Sequence, residues 1–199
     1  MQEDNAHIKQ LITFFEEYFR LNEKEKDEVM LLFTERKLKR RSFLLQPGDV
    51  CRHFTFVVSG CFKMFAVDNS GKEHNLEFAA ENDWLCDLAS FYDEKPAGVY
   101  IEAMEPAIVL QIKRADVIHF YANYPKFNTC FRVITERKYI QQQTRVLQHI
   151  SATAEERYLH FMQHYPALIN RIPNVQVASY LGITSEFLSK VRKDIARNR

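Results

Sequence analysis

The sequence has no long hydrophobic run. Its apolar stretches, such as residues 54–58 and 108–110, fall well short of the roughly 20 residues that cross a bilayer. The N-terminal residues also carry no basic segment followed by an apolar run and a small-residue cleavage site. These absences exclude a transmembrane protein, and we expect a cytoplasmic protein with no membrane partner.

Cysteine and glycine are scarce. The four cysteines (Cys51, Cys61, Cys86 and Cys130) are widely spaced and form no C-x-x-C pair. We therefore expect buried, reduced thiols, with neither a disulfide scaffold nor the clustered ligands of an iron–sulfur centre. The five glycines leave little room for phosphate-cradling loops, and no G-x-S-x-G, P-loop or G-x-G-x-x-G pattern occurs.

The histidines form no catalytic or metal-binding pattern. His160 and His164 stand four residues apart, but no Glu follows His160 as in H-E-x-x-H. His74 and Glu77 alone are too few for a metal site of the cupin type. The sequence predicts a protein that is not an enzyme and that holds neither a metal ion nor haem.

The composition is that of a folded protein, with 46% hydrophobic residues, 16 Phe and 9 Tyr in 199 residues, enough for one or two domains. The net charge of +1 conceals an asymmetry. Residues 73–105 carry nine acidic side chains against one basic, whereas residues 171–199 carry six basic side chains against two acidic. The end of the chain is the part suited to a polyanion.

The hydrophobic period changes from helical to strand-like near Ser42. Residues 6–19 predict one helix, and Asn22 with Glu25 predicts a capping box that opens a second. Several short strands follow at spacings of about ten residues, which is typical of a jelly roll. Ser59-Gly60 between two such runs predicts a tight hairpin.

Helical periodicity returns after Lys113, and Pro125 can open a long helix. Six positions then recur at alternating steps of three and four, two of them charged or hydroxylated, which indicates a weak heptad seam that docks on a second subunit or on its own domain. We favour a dimerisation helix over residues 125–150, with Ser151 as the N-cap of the next helix. The seam positions are Cys130, Val133, Arg137, Ile140, Thr144 and Leu147.

Residues 174–195 read as a helix-turn-helix. Gly182 ends the first helix, Thr184 caps the second, and the polar face of the second helix is rich in Lys. The residues predicted to point inward are Val177, Ala178, Leu181, Phe187, Leu188, Val191 and Ile195. The residues predicted to contact DNA are Thr184, Ser185, Glu186, Ser189, Lys190 and Lys193. An ordinary helical hairpin with a solvated polar face is the alternative.

With these motifs in this order, nearly the whole chain resembles the Crp/Fnr-type transcription regulators. The landmarks are Gln46-Pro47-Gly48-Asp49, Ser59-Gly60, Ser70-Gly71-Lys72-Glu73 and residues 178–190. The resemblance implies an α+β protein with an N-terminal jelly roll, a double-stranded β-helix of the cyclic-nucleotide-binding type, over residues 1–124. A dimerisation helix over 125–150 and an all-α helix-turn-helix domain over 151–199 would follow, without a full β wing because the chain ends at Arg199. It also implies that Ser185, Glu186 and Lys190 read bases.

Two places depart from the relatives that bind cyclic AMP. Cys86-Asp87 stands where they carry Gly-Glu for the ribose, and Ala97-Gly98 stands where they carry Arg-Ser for the phosphate. Without that Arg a buried phosphate lacks its charge partner, so we do not expect cyclic AMP as the effector. Asp87 is interpreted as a capping or solvated carboxylate, and a hydrogen bond to a ribose or another polyol is the alternative. The candidate effector-pocket residues are Trp84, Cys86, Asp87, Leu88, Ala97 and Gly98.

The resemblance therefore implies a homodimeric, bacterial-type transcription regulator that binds a pseudo-palindromic double-stranded DNA site. Its effector is an unknown small molecule, and RNA polymerase is a candidate partner. The alternative is a small-molecule sensor, with cyclic nucleotides among its possible ligands, whose helical tail contacts a protein. A regulator that has lost its ligand is a third interpretation.

Overall fold

The computed structural model describes the backbone of residues 2–197 and the side chains of residues 6–197. Within these residues the chain is an α+β protein, which confirms the predicted fold class. The strands are β1 (Thr34–Leu38), β2 (Phe43–Leu45), β3 (His53–Ser59), β4 (Phe62–Val67), β5 (Glu73–Ala79), β6 (Trp84–Leu85), β7 (Tyr100–Ala103) and β8 (Ala107–Lys113). The helices are α1 (Gln2–Glu16), α2 (Glu23–Leu32), α3 (Leu88–Asp93), α4 (Arg114–Asn123), α5 (Pro125–Ser151), α6 (Ala154–His164), α7 (Asn174–Leu181) and α8 (Ser185–Arg197). None of the helices in this part of the chain is long and apolar enough to cross a membrane.

The strands form two four-stranded sheets, in the orders β1-β8-β3-β6 and β2-β7-β4-β5. Long antiparallel pairings between strands distant in sequence, such as β3 with β8, are those of a jelly roll. Gln111 on β8 donates to the Thr55 hydroxyl on β3 at 3.1 Å, so this buried polar pair is satisfied across the pairing.

The connection at Ser59-Gly60 is not the predicted hairpin. β3 lies in the first sheet and β4 in the second, so the chain crosses between sheets at this point and the hairpin prediction is wrong. Gly60 has a φ of +99°, and a Cβ built there would lie 2.5 Å from the Cβ of Ala107. Glycine is needed both for the backbone conformation and for the close approach of Ala107.

Replacing Gly60 by alanine is therefore expected to lower the free energy of unfolding by about 2 kcal/mol, from positive-φ strain and overlap with Ala107. Urea unfolding followed by far-UV circular dichroism measures the change. Gly98→Ala is the matched control, because Gly98 has no heavy atom within 4 Å of a built Cβ and no positive φ. Equal stability of the two variants would contradict the argument.

The chain divides into two compact units. The first comprises Met1–Met64 and Phe78–Ile134, and the second comprises Phe65–Glu77 and Thr135–Arg199. The core of the first unit is aromatic, with Trp84 only 2% exposed at its centre. The rings around Trp84, with centroids 5.1 to 6.2 Å from it, are those of Phe14, Phe15, Phe33, Phe54, Phe56 and Phe131.

Two helix starts show how capping sets boundaries. The capping box at Asn22 and Glu25 is present as predicted. The prediction that Ser151 caps the next helix is wrong: α5 continues to Ser151, whose hydroxyl donates to the Leu147 carbonyl at 2.8 Å. Thr153 caps α6 instead, because Thr153 and Glu156 form a reciprocal capping box.

Candidate nucleic-acid interface

The second unit contains the predicted helix-turn-helix. α7 ends at Gly182, which has a left-handed conformation with φ of 68°, and the Ile183 amide donates back to the Ala178 carbonyl at 3.0 Å. The Thr184 hydroxyl accepts from the Phe187 amide at 3.2 Å and so caps α8. The predicted turn glycine and threonine cap are both confirmed.

One face of the motif is buried. Val177, Ala178 and Leu181 of α7 pack inward as predicted, as do Leu188 and Val191 of α8. Ile195 is half-buried. The prediction for Phe187 is wrong, because its side chain is 46% exposed. Phe187 precedes Leu188 by one residue, about 100° around the helix, so the two side chains cannot share a narrow buried stripe.

The opposite face of α8 presents the polar side chains predicted to contact DNA. Thr184, Glu186, Ser189, Lys190 and Lys193 are exposed, and Ser185 is half-buried. A hydrogen bond from its own backbone amide and one from Thr184 lower the pKa of Glu186, so this carboxylate is ionised at neutral pH. A carboxylate acceptor and an ammonium donor one helical turn apart can hydrogen-bond base edges in a major groove.

A β-hairpin also belongs to this unit and packs on α7. It is formed by the end of β4, the turn after it and the start of β5, over residues 65–77, and we call it the hairpin from here on. The Asn75 amide donates to the Ser179 hydroxyl at 3.1 Å, and that hydroxyl donates to the Glu73 carbonyl at 2.8 Å. The Asn75 side-chain amide donates to the Gln176 carbonyl at 2.9 Å. Asn75 is only 1% exposed, so the hairpin is held by buried hydrogen bonds.

Arg145 of α5 joins this hairpin to α7. Its Nη2 donates to the carbonyls of Asn75 at 2.7 Å and Tyr180 at 3.1 Å, and its Nη1 donates to the carbonyl of Leu76. The guanidinium also lies over the Tyr180 ring, 4.1 Å from its centroid. Burial lowers the pKa of Arg145, and the three carbonyls replace the water that the cation has lost.

A groove of about 530 Å³ lies between the hairpin tip and the start of α8. Lys72 and Glu73 line one side, and Thr184, Ser185 and Glu186 line the other. The sequence analysis did not predict this juxtaposition, because about a hundred residues separate its two sides and neither of their motifs indicates that they meet. Three of the predicted DNA-contact residues therefore face a hairpin of the same unit.

The predicted seam on α5 varies in exposure along its length. Cys130 is fully buried, and Val133 and Thr144 are half-buried. Ile140 is 59% exposed and Leu147 is 63% exposed. The apolar residues of the C-terminal half of α5 are thus uncovered in the single chain.

The first unit contains a cavity of about 320 Å³ that is lined by residues of both sheets. Thr55 belongs to the first sheet, and Leu45 and Ile101 belong to the second. Burial, reinforced by Arg36, Lys113 and Arg52, lowers the pKa of His53, so this imidazole is neutral at pH 7. The cavity therefore offers cationic and hydrogen-bonding groups to a small polar or anionic molecule. Its polar lining residues are Arg36, Asp49, Arg52, His53, Thr55 and Gln111.

This lining does not include the six predicted effector residues. Trp84 belongs to the aromatic core, and Ala97 is buried. Asp87 caps α3 by accepting from the Ser90 amide at 3.2 Å, which confirms its interpretation as a capping carboxylate. Cys86 and Leu88 are half-buried beside it, and Gly98 has no heavy atom near a built Cβ.

The residues of the jelly roll match a known family of domains. Residues 35–124 match the model of the cyclic nucleotide-binding domain. These residues therefore resemble a cyclic nucleotide-binding domain. The predicted resemblance to Crp/Fnr-type proteins is thereby confirmed for the jelly roll, although the two departures noted above, at Cys86-Asp87 and Ala97-Gly98, lie within the matched residues.

Relatives extend the match beyond the cyclic nucleotide-binding domain. The chain is 24% identical over 187 residues to flp of Lacticaseibacillus casei, named as a transcriptional regulator, covering 90% of this chain and 84% of that one. Its fold is similar to that of FixK2 from Bradyrhizobium japonicum, with a TM-score of 0.71, 16% identity and coverage of 84% and 86% of the two chains. A regulator assigned to the crp/fnr family from Eubacterium rectale gives a TM-score of 0.68, with 14% identity and coverage of 92% and 88%.

Proposed function

We propose that this protein is a sequence-specific DNA-binding transcription regulator of the Crp/Fnr type. The observation that carries the proposal is the polar face of α8, where Glu186, Ser189 and Lys190 are exposed. Leu188 and Val191, on the other face of the helix, are buried and anchor it in the motif. Glu186 accepts from a cytosine amino group and Lys190 donates to guanine, while Lys193 contacts phosphate. The protein acts in the cytoplasm, with RNA polymerase as a candidate partner.

The protein acts as a homodimer through α5. Ile140 and Leu147 are seven residues apart, apolar and exposed, which supports a helix that pairs with its copy. Residues 1–124 then form the sensor domain, residues 125–150 form the dimerisation helix, and residues 151–199 form the DNA-binding domain. Two copies of α8 meet an inverted repeat whose half-sites are about one DNA turn apart.

The effector acts by favouring one of two arrangements of the DNA-reading heads. The hairpin tip at Lys72 and Glu73 borders the groove that also holds Ser185 and Glu186. Withdrawal of the tip would give the half-buried Ser185 fuller contact with base edges. A ligand that prefers the withdrawn arrangement raises DNA affinity, and one that prefers the docked arrangement lowers it.

Selection of bound duplexes from a random library, at two salt concentrations, tests the proposal directly. Enrichment of an inverted repeat is the expected result, and it reports both specific reading and dimerisation. Loss of all DNA binding at both salt concentrations would overturn the proposal. The exposed Phe187 and Val175 would then favour the alternative, a sensor whose helical tail contacts a protein.

Charge reversal of Lys190 and Lys193 is expected to weaken binding to the selected site by at least about tenfold and to reduce the slope of log affinity against log salt by about one per lost phosphate contact. Electrophoretic mobility shifts over a salt series measure both quantities. We leave Arg192 unchanged, because its guanidinium is hydrogen-bonded to the Asn174 side chain and its loss would disturb the motif itself.

The matched control is Lys24→Glu. Lys24 is an exposed lysine of α2, so this substitution makes the same kind of charge change outside α8. Its DNA affinity is expected to stay within about twofold of that of the unmodified protein at 0.15 M salt, because Lys24 is not among the predicted DNA-contact residues and salt screens exposed charges. Equal losses in the control and in the α8 variants would mean that net charge alone sets the affinity.

A further inference from the structure

Two cysteines of the first unit lie in contact with each other. The Sγ atoms of Cys51 and Cys86 lie 3.8 Å apart, although 35 positions separate them in the chain. Cys51 lies two residues before the start of β3, and Cys86 lies between β6 and the N-cap of α3. The pairing of β3 with β6, with Thr55 opposite Leu85, brings the two residues together.

The backbone around the pair is firmly held. The Cys51 amide donates to the Ser90 hydroxyl at 2.9 Å, and that hydroxyl donates to the Lys95 carbonyl at 2.6 Å. The Gly48 amide donates to the Ala97 carbonyl at 3.0 Å. These bonds tie the segment before β3 to the segment after α3, so the thiols stay in contact without a covalent link.

The environment favours the thiolate of Cys51. A hydrogen bond from the Cys86 thiol is the main cause that lowers the pKa of Cys51, and a backbone hydrogen bond from Asp87 acts in the same direction against the effect of burial. Cys51 also lines the cavity of about 320 Å³, together with Arg36 and Arg52. A thiolate beside a cavity that a small molecule can enter has the features of a reactive cysteine.

The other two cysteines differ in each respect. Cys61 is 1% exposed, and its sulfur lies 3.8 Å from the sulfur of Met104. Cys130 is fully buried in α5. Neither Cys61 nor Cys130 lines the cavity. They provide internal controls that share the fold but do not line the cavity.

We propose that Cys51 and Cys86 are a redox modification site that a hydroperoxide converts into an intramolecular disulfide. The Cys51 thiolate attacks one oxygen of the hydroperoxide, the O–O bond breaks, and the other oxygen leaves as an alcohol, or as water from hydrogen peroxide, after taking up a proton. The Cys86 sulfur then attacks the sulfur of the Cys51 sulfenic acid, forming the S–S bond and releasing water. Two electrons pass from the two thiols to one peroxide.

The geometry allows the second step without unfolding. The two sulfur atoms of a disulfide are about 2.05 Å apart. Rotation of the Cys51 and Cys86 side chains must therefore shorten the Sγ–Sγ distance from its present 3.8 Å. The product would covalently join the start of β3 to the start of α3, and a thiol reductant would restore the free thiols.

The test uses hydrogen peroxide on the full chain and does not depend on DNA binding. Treatment with about one equivalent of peroxide, followed by alkylation and peptide mass mapping, is expected to yield a Cys51–Cys86 cross-linked peptide that dithiothreitol cleaves. Cys51 is expected to oxidise at least about tenfold faster than Cys61 or Cys130. The Cys61→Ser and Cys130→Ser variants are expected to form the same cross-link.

Single variants of the pair separate the two steps. Cys86→Ser is expected to accumulate a sulfenic acid on Cys51, which dimedone captures, and Cys51→Ser is expected to abolish the cross-link. Circular dichroism checks that both variants fold, and the unmodified chain carries the decisive measurement if one does not. A peroxide-treated chain without the Cys51–Cys86 peptide, or with all four cysteines oxidised at equal rates, would overturn the proposal.

Discussion

Replacing Trp84 by alanine is expected to lower the free energy of unfolding by about 4 kcal/mol, the largest effect of any single substitution that we predict. The indole is 2% exposed and contacts rings from α1, β3 and α5, so its removal leaves a cavity that several elements border. Since Trp84 is the only tryptophan, its fluorescence disappears in the variant, and far-UV circular dichroism during urea unfolding is the suitable measurement.

The control is Trp84→Phe. Among the described residues the buried Trp84 Nε1 has no hydrogen-bond partner, so phenylalanine removes no hydrogen bond and keeps most of the ring contacts. We expect a loss of only about 1 kcal/mol. Equal losses in the two variants would show that ring packing is not what Trp84 contributes.

Replacing Arg145 by methionine is expected to destabilise the second unit by about 3 kcal/mol, because charge-assisted hydrogen bonds to buried carbonyls are among the stronger ones. The carbonyls of Asn75, Leu76 and Tyr180 would lose their donor together. Thermal unfolding reports the total, and hydrogen exchange of the backbone amides in residues 73–77 reports the hairpin itself.

Arg145→Lys distinguishes charge from geometry. Lysine keeps the charge but lacks the planar fork that reaches several carbonyls and stacks on Tyr180, so an intermediate loss is expected. If the hairpin amides of Arg145→Met exchange as slowly as those of the unmodified protein, Arg145 does not hold the hairpin.

The hairpin is also the feature that links stability to the proposed function. Its tip borders the groove beside Ser185 and Glu186, and its base is held by Arg145 and by the ion pair of Lys138 with Glu77. Residues that set how firmly the hairpin docks would thus set how readily the start of α8 meets DNA. The DNA-contact residues remain predictions until binding is measured.

Local signals in the sequence predicted the elements that depend on a few neighbouring residues. The capping box at Asn22, the left-handed Gly182 and the cap at Thr184 were all predicted correctly, because each is decided within one turn of helix. Ser151 failed as a cap because Thr153, two residues on, had the better partner in Glu156. Two candidate caps so close together cannot be separated by residue type alone.

Tertiary structure decided what depends on distant partners. Ser59-Gly60 looks like a hairpin turn, yet the strands on either side belong to different sheets, since strand pairing is set by long-range packing. Trp84 is among the candidate effector-pocket residues of the sequence analysis, whereas the structure buries it in the core among six phenylalanine rings.

The fold class, the long helix beginning at Pro125 and the helix-turn-helix could all be predicted from the sequence, because hydrophobic periodicity and capping depend on residues that are close together in the chain. Only the tertiary structure brought Cys51 to Cys86 and the hairpin at Asn75 to α7. The reason is physical: a contact between residues tens of positions apart depends on sheet order and register, and these follow from the burial of the whole core.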